Sequence, residues 1–300
     1  MNSKEHTSVL LFFIDGLGIG ERGEQNPLAQ VNDIEPLAHF KNESSEIIFD
    51  GVLIATDARL GVEGRPQSAS GQTTILTGIN APQILGMHKQ GFPNQALRDV
   101  IAEHSIFLQL KTKNIEPNVF ANAYTPKFFS EKPLWKSATT CAVEAADLQF
   151  RRLPDLLARK AVFHDFTNQS LKESGFEIPL FSPADAGEIL AGLTKKYRFT
   201  LYEYFITDKI GHAQNFEKAE EYLPPLAQFV RETLEKVDLE KTTVILTSDH
   251  GNIEDLSIRT HTLNDVPTIV WDRRRDEAAK QIKDLSHITP MILNLLSDNN

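Results

Sequence analysis

The sequence predicts an α/β chain: a three-layer sandwich with a mostly parallel central sheet and a small inserted cap. Two observations carry that prediction. Apolar, β-rich runs at Val9 to Ile14, Phe199 to Ile206 and Thr243 to Leu246 lead into Asp15, Asp208 and Asp249. Helical patterns fill the intervals, and such alternation places helices on both faces of a parallel sheet. Ligands collect beyond the carboxyl ends of strands in sheets of this kind, which is where the three aspartates stand.

Taken in order, Ser8 to Ile14 is too short for a membrane span, lacks a strong basic flank and ends in Asp15-Gly16, so it reads as a first buried strand. The stretch Gly64-Arg65-Pro66-Gln67-Ser68-Ala69-Ser70-Gly71-Gln72 leads small hydroxyl residues into a short helical run that Gly78 terminates. A further helical pattern covers Asn94 to Lys111 after Pro93. Residues 124–177 break the alternation with Pro, aromatic and basic residues, among them Lys127, Lys132, Lys136, Arg151, Arg152, Arg159 and Lys160. They are read as the cap, between the two parts of a discontinuous catalytic core, 1–123 and 178–300. Ser182 is an N-cap for a helix over Pro183 to Lys196. Glu217 to Val237 is long and amphipathic despite Pro224-Pro225, Val266 to Trp271 is another strand, and Ile288 to Leu296 a closing helix with Pro290 in its first turn.

The chain has 300 residues and a formal net charge of -10. That balance argues against a nucleic-acid partner, since phosphate backbones are held by clustered Lys and Arg. A phosphorylated small molecule stays compatible if metal ions supply local positive charge. Cys141 is the only cysteine, which excludes an intramolecular disulfide and a cysteine-rich zinc site and suits a reducing compartment. With no run approaching the ~20 apolar residues of a membrane span, the expectation is a cytoplasmic protein without a membrane partner.

The chemistry-bearing residues stand in four separated segments: Asp15; Asp208 and His212; Asp249 and His250; and His261. Carboxylate and imidazole are the ligand types of zinc, manganese and iron. A serine at the start of the 68–77 run sits among free backbone N–H groups at the positive end of a helix, a favourable place for an attacking oxygen and for phosphate.

In their order and spacing, Asp15-Gly16, the serine-containing turn, Asp208-x-x-x-His212, Asp249-His250-Gly251-Asn252, His261-Thr262 and the terminal helix resemble the alkaline phosphatase superfamily. Within it they are most similar to the cofactor-independent phosphoglycerate mutases, over roughly residues 8–80 and 178–300. The resemblance implies an alkaline phosphatase-like fold and two divalent metal ions, manganese or zinc. Asp208, His212 and His261 match the ligands of one ion; Asp15, Asp249 and His250 match those of the other, with the Ser68 oxygen close to it. Counting back from Thr77-Gly78 selects Ser68 as nucleophile over Ser70 and aligns Gly71 with a glycine of the mutase motif. The implied reaction is in-line displacement at phosphorus through a phosphoserine. Gln67, Gln72, Lys209, Arg151 and Arg152 are the candidate substrate-binding residues.

The mutases insert a large, arginine-rich substrate domain after the nucleophile helix, whereas here only residues 79–93 precede the next core-like helix. The leading expectation is therefore a phosphatase or phosphodiesterase acting on a small phosphorylated compound. A phosphomutase and a catalytically silent metal-binding or ligand-sensing protein are the alternatives. Singly, each motif has a plainer reading: Asp15 as a turn residue, Asp208 and His212 as a helical surface pair, Ser68 and Ser70 as helix caps. His6, His39, His88, His104, His164 and His287 are read as structural, and Arg273-Arg274-Arg275 as a solvated face.

Overall fold

The computed structural model describes residues 7–44, 47–131, 134–272 and 275–297; His6, Lys132, Arg273 and Arg274 lie outside them. The strands are β1 (Ser8–Ile14), β2 (Val52–Thr56), β3 (Asn118–Phe120), β4 (Ala123–Tyr124), β5 (Arg151–Arg152), β6 (Phe199–Tyr204), β7 (Thr242–Thr247) and β8 (Val266–Trp271). Six form one sheet in the order β2-β8-β7-β1-β6-β3, and β4 pairs with β5 in a second. β3, β6, β1 and β7 run parallel, while β8 is antiparallel to both β7 and β2.

Every residue of β1 is buried, because helices cover both faces of the sheet and an unbroken apolar run is what such a strand requires. On one face Leu10, Phe12, Ile14, Tyr202 and Trp271 pack with Ile189 and Leu190 of helix Pro183–Thr194 and Leu226 and Phe229 of helix Phe216–Lys236. On the other, Val9, Leu11, Phe13, Phe199 and Leu201 meet Ile75 and Leu76 of helix Ser68–Thr77 and Met291 and Ile292 of helix Ile288–Ser297. The three-layer, mostly parallel sandwich is the observed architecture. Residues 124–177 send Ala138, Ala142 and Val143 into the second layer and Leu156, Phe163 and Phe166 into the first.

Two local expectations are corrected, and the strand β2 was not anticipated. The pattern over Asn94 to Lys111 is two helices, Gln95–His104 and Ile106–Thr112. Ser105 between them leaves the helical conformation and caps the second, accepting from Leu108 N and donating to Ala142 O. β6 ends at Tyr204, and Ile206 already belongs to helix Ile206–Ala213, which carries Asp208 and His212. β2 lacked a sequence signal because, as an edge strand, most of it is only half-buried. Among the described residues no helix is long and apolar enough to cross a membrane.

Candidate metal centre

Beyond the carboxyl ends of β1, β6 and β7 the chain turns back over the sheet, and the ligand-type side chains converge. One ligand atom from each of Asp208, His212 and His261 lies within 4.8 Å of the others, and Asp15, Asp208 and His250 form a second such group. Asp208 therefore stands in both groups. Asp208 and His212, four residues apart, share one helix face, with His212 Nε2 3.4 Å from Asp208 Oδ2. The rings of His250 and His261 stack with centroids 3.5 Å apart, which merges the two groups into one continuous cluster. Asp249 Oδ2 lies 3.5 Å from His250 Nε2.

Ser68 is the first residue of helix Ser68–Thr77, and its Oγ lies 2.9 Å from His250 Nε2. Ser70, two residues on, faces elsewhere: its Oγ accepts from Lys89 N and donates to Gln67 O.

The cluster fits divalent cations on three observations. His212 Nδ1 lies 2.7 Å from Arg259 O and His261 Nδ1 2.8 Å from Pro66 O. A carbonyl only accepts, so each Nδ1 carries a proton, and each ring turns its Nε2 into the cluster, the two 3.1 Å apart. Imidazoles pinned through Nδ1–H to carbonyls, with Nε2 turned toward carboxylates, are characteristic of metal ligands. Secondly, Asp15 Oδ1, His250 Nδ1 and Asn252 Oδ1 are buried without a hydrogen-bond partner, a cost a native interior does not normally leave standing.

Thirdly, the carboxylates lack compensating charge. Burial, then the charges of Asp249 and Asp208, raises the Asp15 carboxyl well above its ordinary value. Burial and Asp208 push Asp249 up to about 7. Burial also works against the Asp208 anion, but the hydrogen bonds from His261 and Asn252 outweigh it and lower that carboxyl. Burial, reinforced by His261, holds His250 down at about 3, so its imidazole is neutral. Crowded buried carboxylates beside the neutral His250 imidazole make a site that a cation completes.

The candidate substrate-binding residues separate. Gln72 belongs to the cluster, donating from Nε2 to Asp15 Oδ2 at 3.0 Å and to Asp249 Oδ2 at 3.2 Å; its amide holds two of the candidate ligands in place. Gln67 is the N-cap residue, and its backbone carbonyl accepts from Gly71 N. Lys209 is exposed beside Asp208, its Nζ 4.4 Å from the centre of the Phe205 ring. Arg151 pairs with Asp155 and Tyr197, in a groove that includes Lys195, Lys196 and Tyr197. That groove borders the chain entering β6, whereas the ligands follow the end of β6. Arg152 lies over Phe129. Neither arginine joins the cluster.

Sequence reasoning missed three supporting side chains. Asn252 Nδ2 donates to Asp208 Oδ1 at 2.7 Å. Buried Glu254 accepts from Gly18 N, Asn252 N, Thr262 Oγ1 and Asn264 Nδ2, tying together the loops after β1 and β7. Glu203 is buried within β6, and burial pushes it up to about 7. A carboxylate inside the apolar run Phe199–Tyr204 was the available signal, because a buried charge is costly unless it is used or paired. Of the histidines read as structural, His39 is buried, His88 Nε2 lies 3.3 Å from Val62 O, and His287 Nδ1 lies 3.0 Å from Asp284 Oδ1.

The sandwich and the cluster beyond its strand ends define an alkaline phosphatase-like architecture carrying a candidate metal centre, and residues 182–300 match the Metalloenzyme superfamily. Over its C-terminal part the chain is similar to 2,3-bisphosphoglycerate-independent phosphoglycerate mutases. The enzyme of Sulfurimonas denitrificans is 29% identical over 129 residues, which are 40% of this chain and 26% of the mutase. An Archaeoglobus fulgidus enzyme is 31% identical over 87 residues, 28% of this chain and 21% of its own. The matched stretch thus spans about a quarter of the length of these curated relatives. Among solved structures, the fold is shared with a cold-active alkaline phosphatase of Shewanella sp. (TM-score 0.53, 12% identity, 97% of this chain and 100% of that one). It is also shared with a Leishmania mexicana phosphoglycerate mutase (TM-score 0.50, 13% identity, 100% and 98%).

Proposed function

We infer that the protein is a two-metal phosphoryl-transfer enzyme that hydrolyses a small phosphate ester through a phosphoserine at Ser68. The observation that carries this reading is the position of Ser68 Oγ, 2.9 Å from His250 Nε2 at the start of a helix. A nucleophile and a ligand cluster thereby meet at one point.

Asp208, His212 and His261 would hold one divalent ion, and Asp15, Asp249 and His250 the other, with Asp208 near both groups. Such ions, manganese or zinc, supply Lewis-acid activation of a hydroxyl and stabilise a leaving oxygen. The chain's own residues do the rest. Ser68 Oγ forms a bond to phosphorus as the bond to the ester oxygen breaks and the alcohol departs. Water then displaces the serine oxygen, releasing phosphate and restoring the hydroxyl. The positive end of helix Ser68–Thr77 favours the phosphoryl oxygens during both steps. Gln72 keeps Asp15 and Asp249 aimed at the cluster.

The segment after the nucleophile helix favours hydrolysis over mutase chemistry. Gly78 ends that helix, the short helix Ala81–Leu85 comes next, and helix Gln95–His104 then returns to the core. No inserted domain stands there to retain a phosphorylated product between two half-reactions. The mutase reading draws its support from the curated relatives of the C-terminal part.

With manganese or zinc the protein should hydrolyse an aryl phosphate monoester or diester. Ser68→Ala should reduce turnover by about a thousandfold or more while retaining metal. Undiminished turnover in that variant would refute the mechanism, and transfer of the phosphoryl group without phosphate release would replace hydrolase by mutase.

A further inference from the structure

Beside the metal centre lies a second feature that the ligand chemistry does not use. A cavity of about 330 Å³ is walled by Phe92, Phe128, Trp135, His164 and Phe205, with Glu203 also lining it. Its volume falls in the ~300–1,000 Å³ range of small-molecule clefts. Phe92 and Trp135 are large aromatic side chains left 49% and 64% exposed, at a cost in hydration that a stacked ligand would recover.

The cavity sits on the nucleophile's side of the sheet. Side chains alternate along β6, and Phe199 and Leu201 pack in the same core as Ile75 and Leu76 of the Ser68 helix, so Glu203 projects on that face. Helix Ala138–Ala145, whose Thr139 donates to Glu203 Oε2 at 2.8 Å, packs directly on helix Ser68–Thr77. Glu203 is paired in register with Phe13, two residues before Asp15. Phe205 leads into the helix that carries Asp208.

The polar groups select the ligand. Tyr124, Thr140, Ser137 and Thr139 hydrogen-bond one to the next in a chain that ends on Glu203 Oε2, so these hydroxyls are already engaged. Glu203 Oε1 accepts no hydrogen bond from any described residue. Lys136, the one cation among the described lining residues, is held at 2.8 Å by Glu144. An anionic alcohol would meet an acidic wall whose described cation is already paired, whereas a neutral ring bearing N–H or O–H donors would stack on the aromatic walls and reach Glu203.

We propose that this cavity holds the alcohol portion of the substrate and that this portion is a neutral, planar-ring alcohol of the nucleoside type. The proposal rests on the phosphoester-hydrolase reading for its placement beside Ser68, but the ring-binding step can be measured without phosphate chemistry. Trp135 is a built-in reporter, since the other tryptophan, Trp271, is fully buried in the sheet.

The experiment titrates the metal-loaded protein with adenosine, which carries no phosphate, and with glycerol as an aliphatic control. Adenosine should quench the Trp135 emission saturably and glycerol should not. Trp135→Ala, at an exposed position that leaves the core intact, should weaken adenosine binding by about tenfold in calorimetry. Absence of quenching, equal quenching by glycerol, or unchanged affinity in Trp135→Ala overturns the proposal. Hydrolysis of an aryl ester without adenosine binding also overturns it and leaves the hydrolase reading standing. Adenosine binding without turnover of any ester upholds the ring site and refutes the hydrolase instead.

Discussion

Gly71 rests directly against Asp249: a Cβ at Gly71 would lie 3.0 Å from both the Cβ and the carbonyl oxygen of Asp249. The helix that begins at Ser68 can seat itself on the loop that carries Asp249 only because this residue has no side chain. Gly71→Ala must push helix and loop apart by a few tenths of an ångström. The helix gains roughly 0.5–1 kcal/mol from alanine, which offsets much of the packing cost, so the expected change in stability is small. The expected change in activity is not, because misplacing a reacting group by a fraction of its contact distance costs tenfold or more. Turnover of an aryl phosphate should fall by at least about tenfold while Tm moves by only a few degrees; full activity would show that the contact does not position Ser68.

Chelation should lower stability as well as activity. A ligand at about a hundred times its Kd stabilises the native state by ~2.7 kcal/mol, or several degrees in Tm for a chain of this size. Thermal unfolding with and without EDTA, together with metal analysis, measures this. His212→Ala removes one of the two opposed Nε2 groups and should reduce the bound metal by one equivalent without unfolding the protein, because His212 is exposed.

Gln72 tests the fit from the opposite direction. Its Nε2 is a buried donor shared by Asp15 and Asp249, so Gln72→Leu should destabilise the metal-free protein by about 1–3 kcal/mol. Urea denaturation should show a smaller loss in the metal-loaded form, where cations satisfy the same carboxylates. An equal loss in both forms would mean that Gln72 acts through packing alone.

His39 supplies a pH dependence remote from the cluster. Burial pushes its imidazole from 6.5 down to about 4. The folded-state value is the lower one, so as pH falls from 6.5 toward 4 the unfolded chain takes up a proton before the native one does. Stability is therefore lost across that window, by up to roughly 3 kcal/mol from this residue. His39→Leu should flatten the corresponding part of the urea-derived stability profile, and an unchanged slope would contradict the assignment.

Much of the site was legible because strand ends are a local signal. The apolar runs before Asp15, Asp208 and Asp249 mark where buried strands meet the edge of the sheet, and Asp208 and His212 announce their shared helix face by a spacing of four. The direction of β8 was not legible, since pairing direction depends on a neighbouring strand and not on the run itself. Nor was the engagement of Arg151 with Asp155 and Tyr197, because a basic residue in a sequence carries no record of which carboxylate or ring it will meet. Glu254 went unread for the same reason, since a lone acid in a loop acquires meaning only from the groups buried with it; Glu203, a carboxylate inside the apolar run of β6, did carry a local signal.

By itself the sequence determined the α/β layering, the strand ends that bear ligand-type side chains and the short helix that begins at Ser68, all consequences of hydrophobic period and capping within a few residues. Tertiary structure decided the rest. It turned Ser68 and not Ser70 toward His250, a residue 182 positions away, placed Asp208 in both ligand groups, and committed Gln72 to the carboxylates. It also opened an aromatic cavity beside Glu203. The physical reason is that a side chain's direction on its element is local, while the distance between two elements is set by packing across the whole sheet.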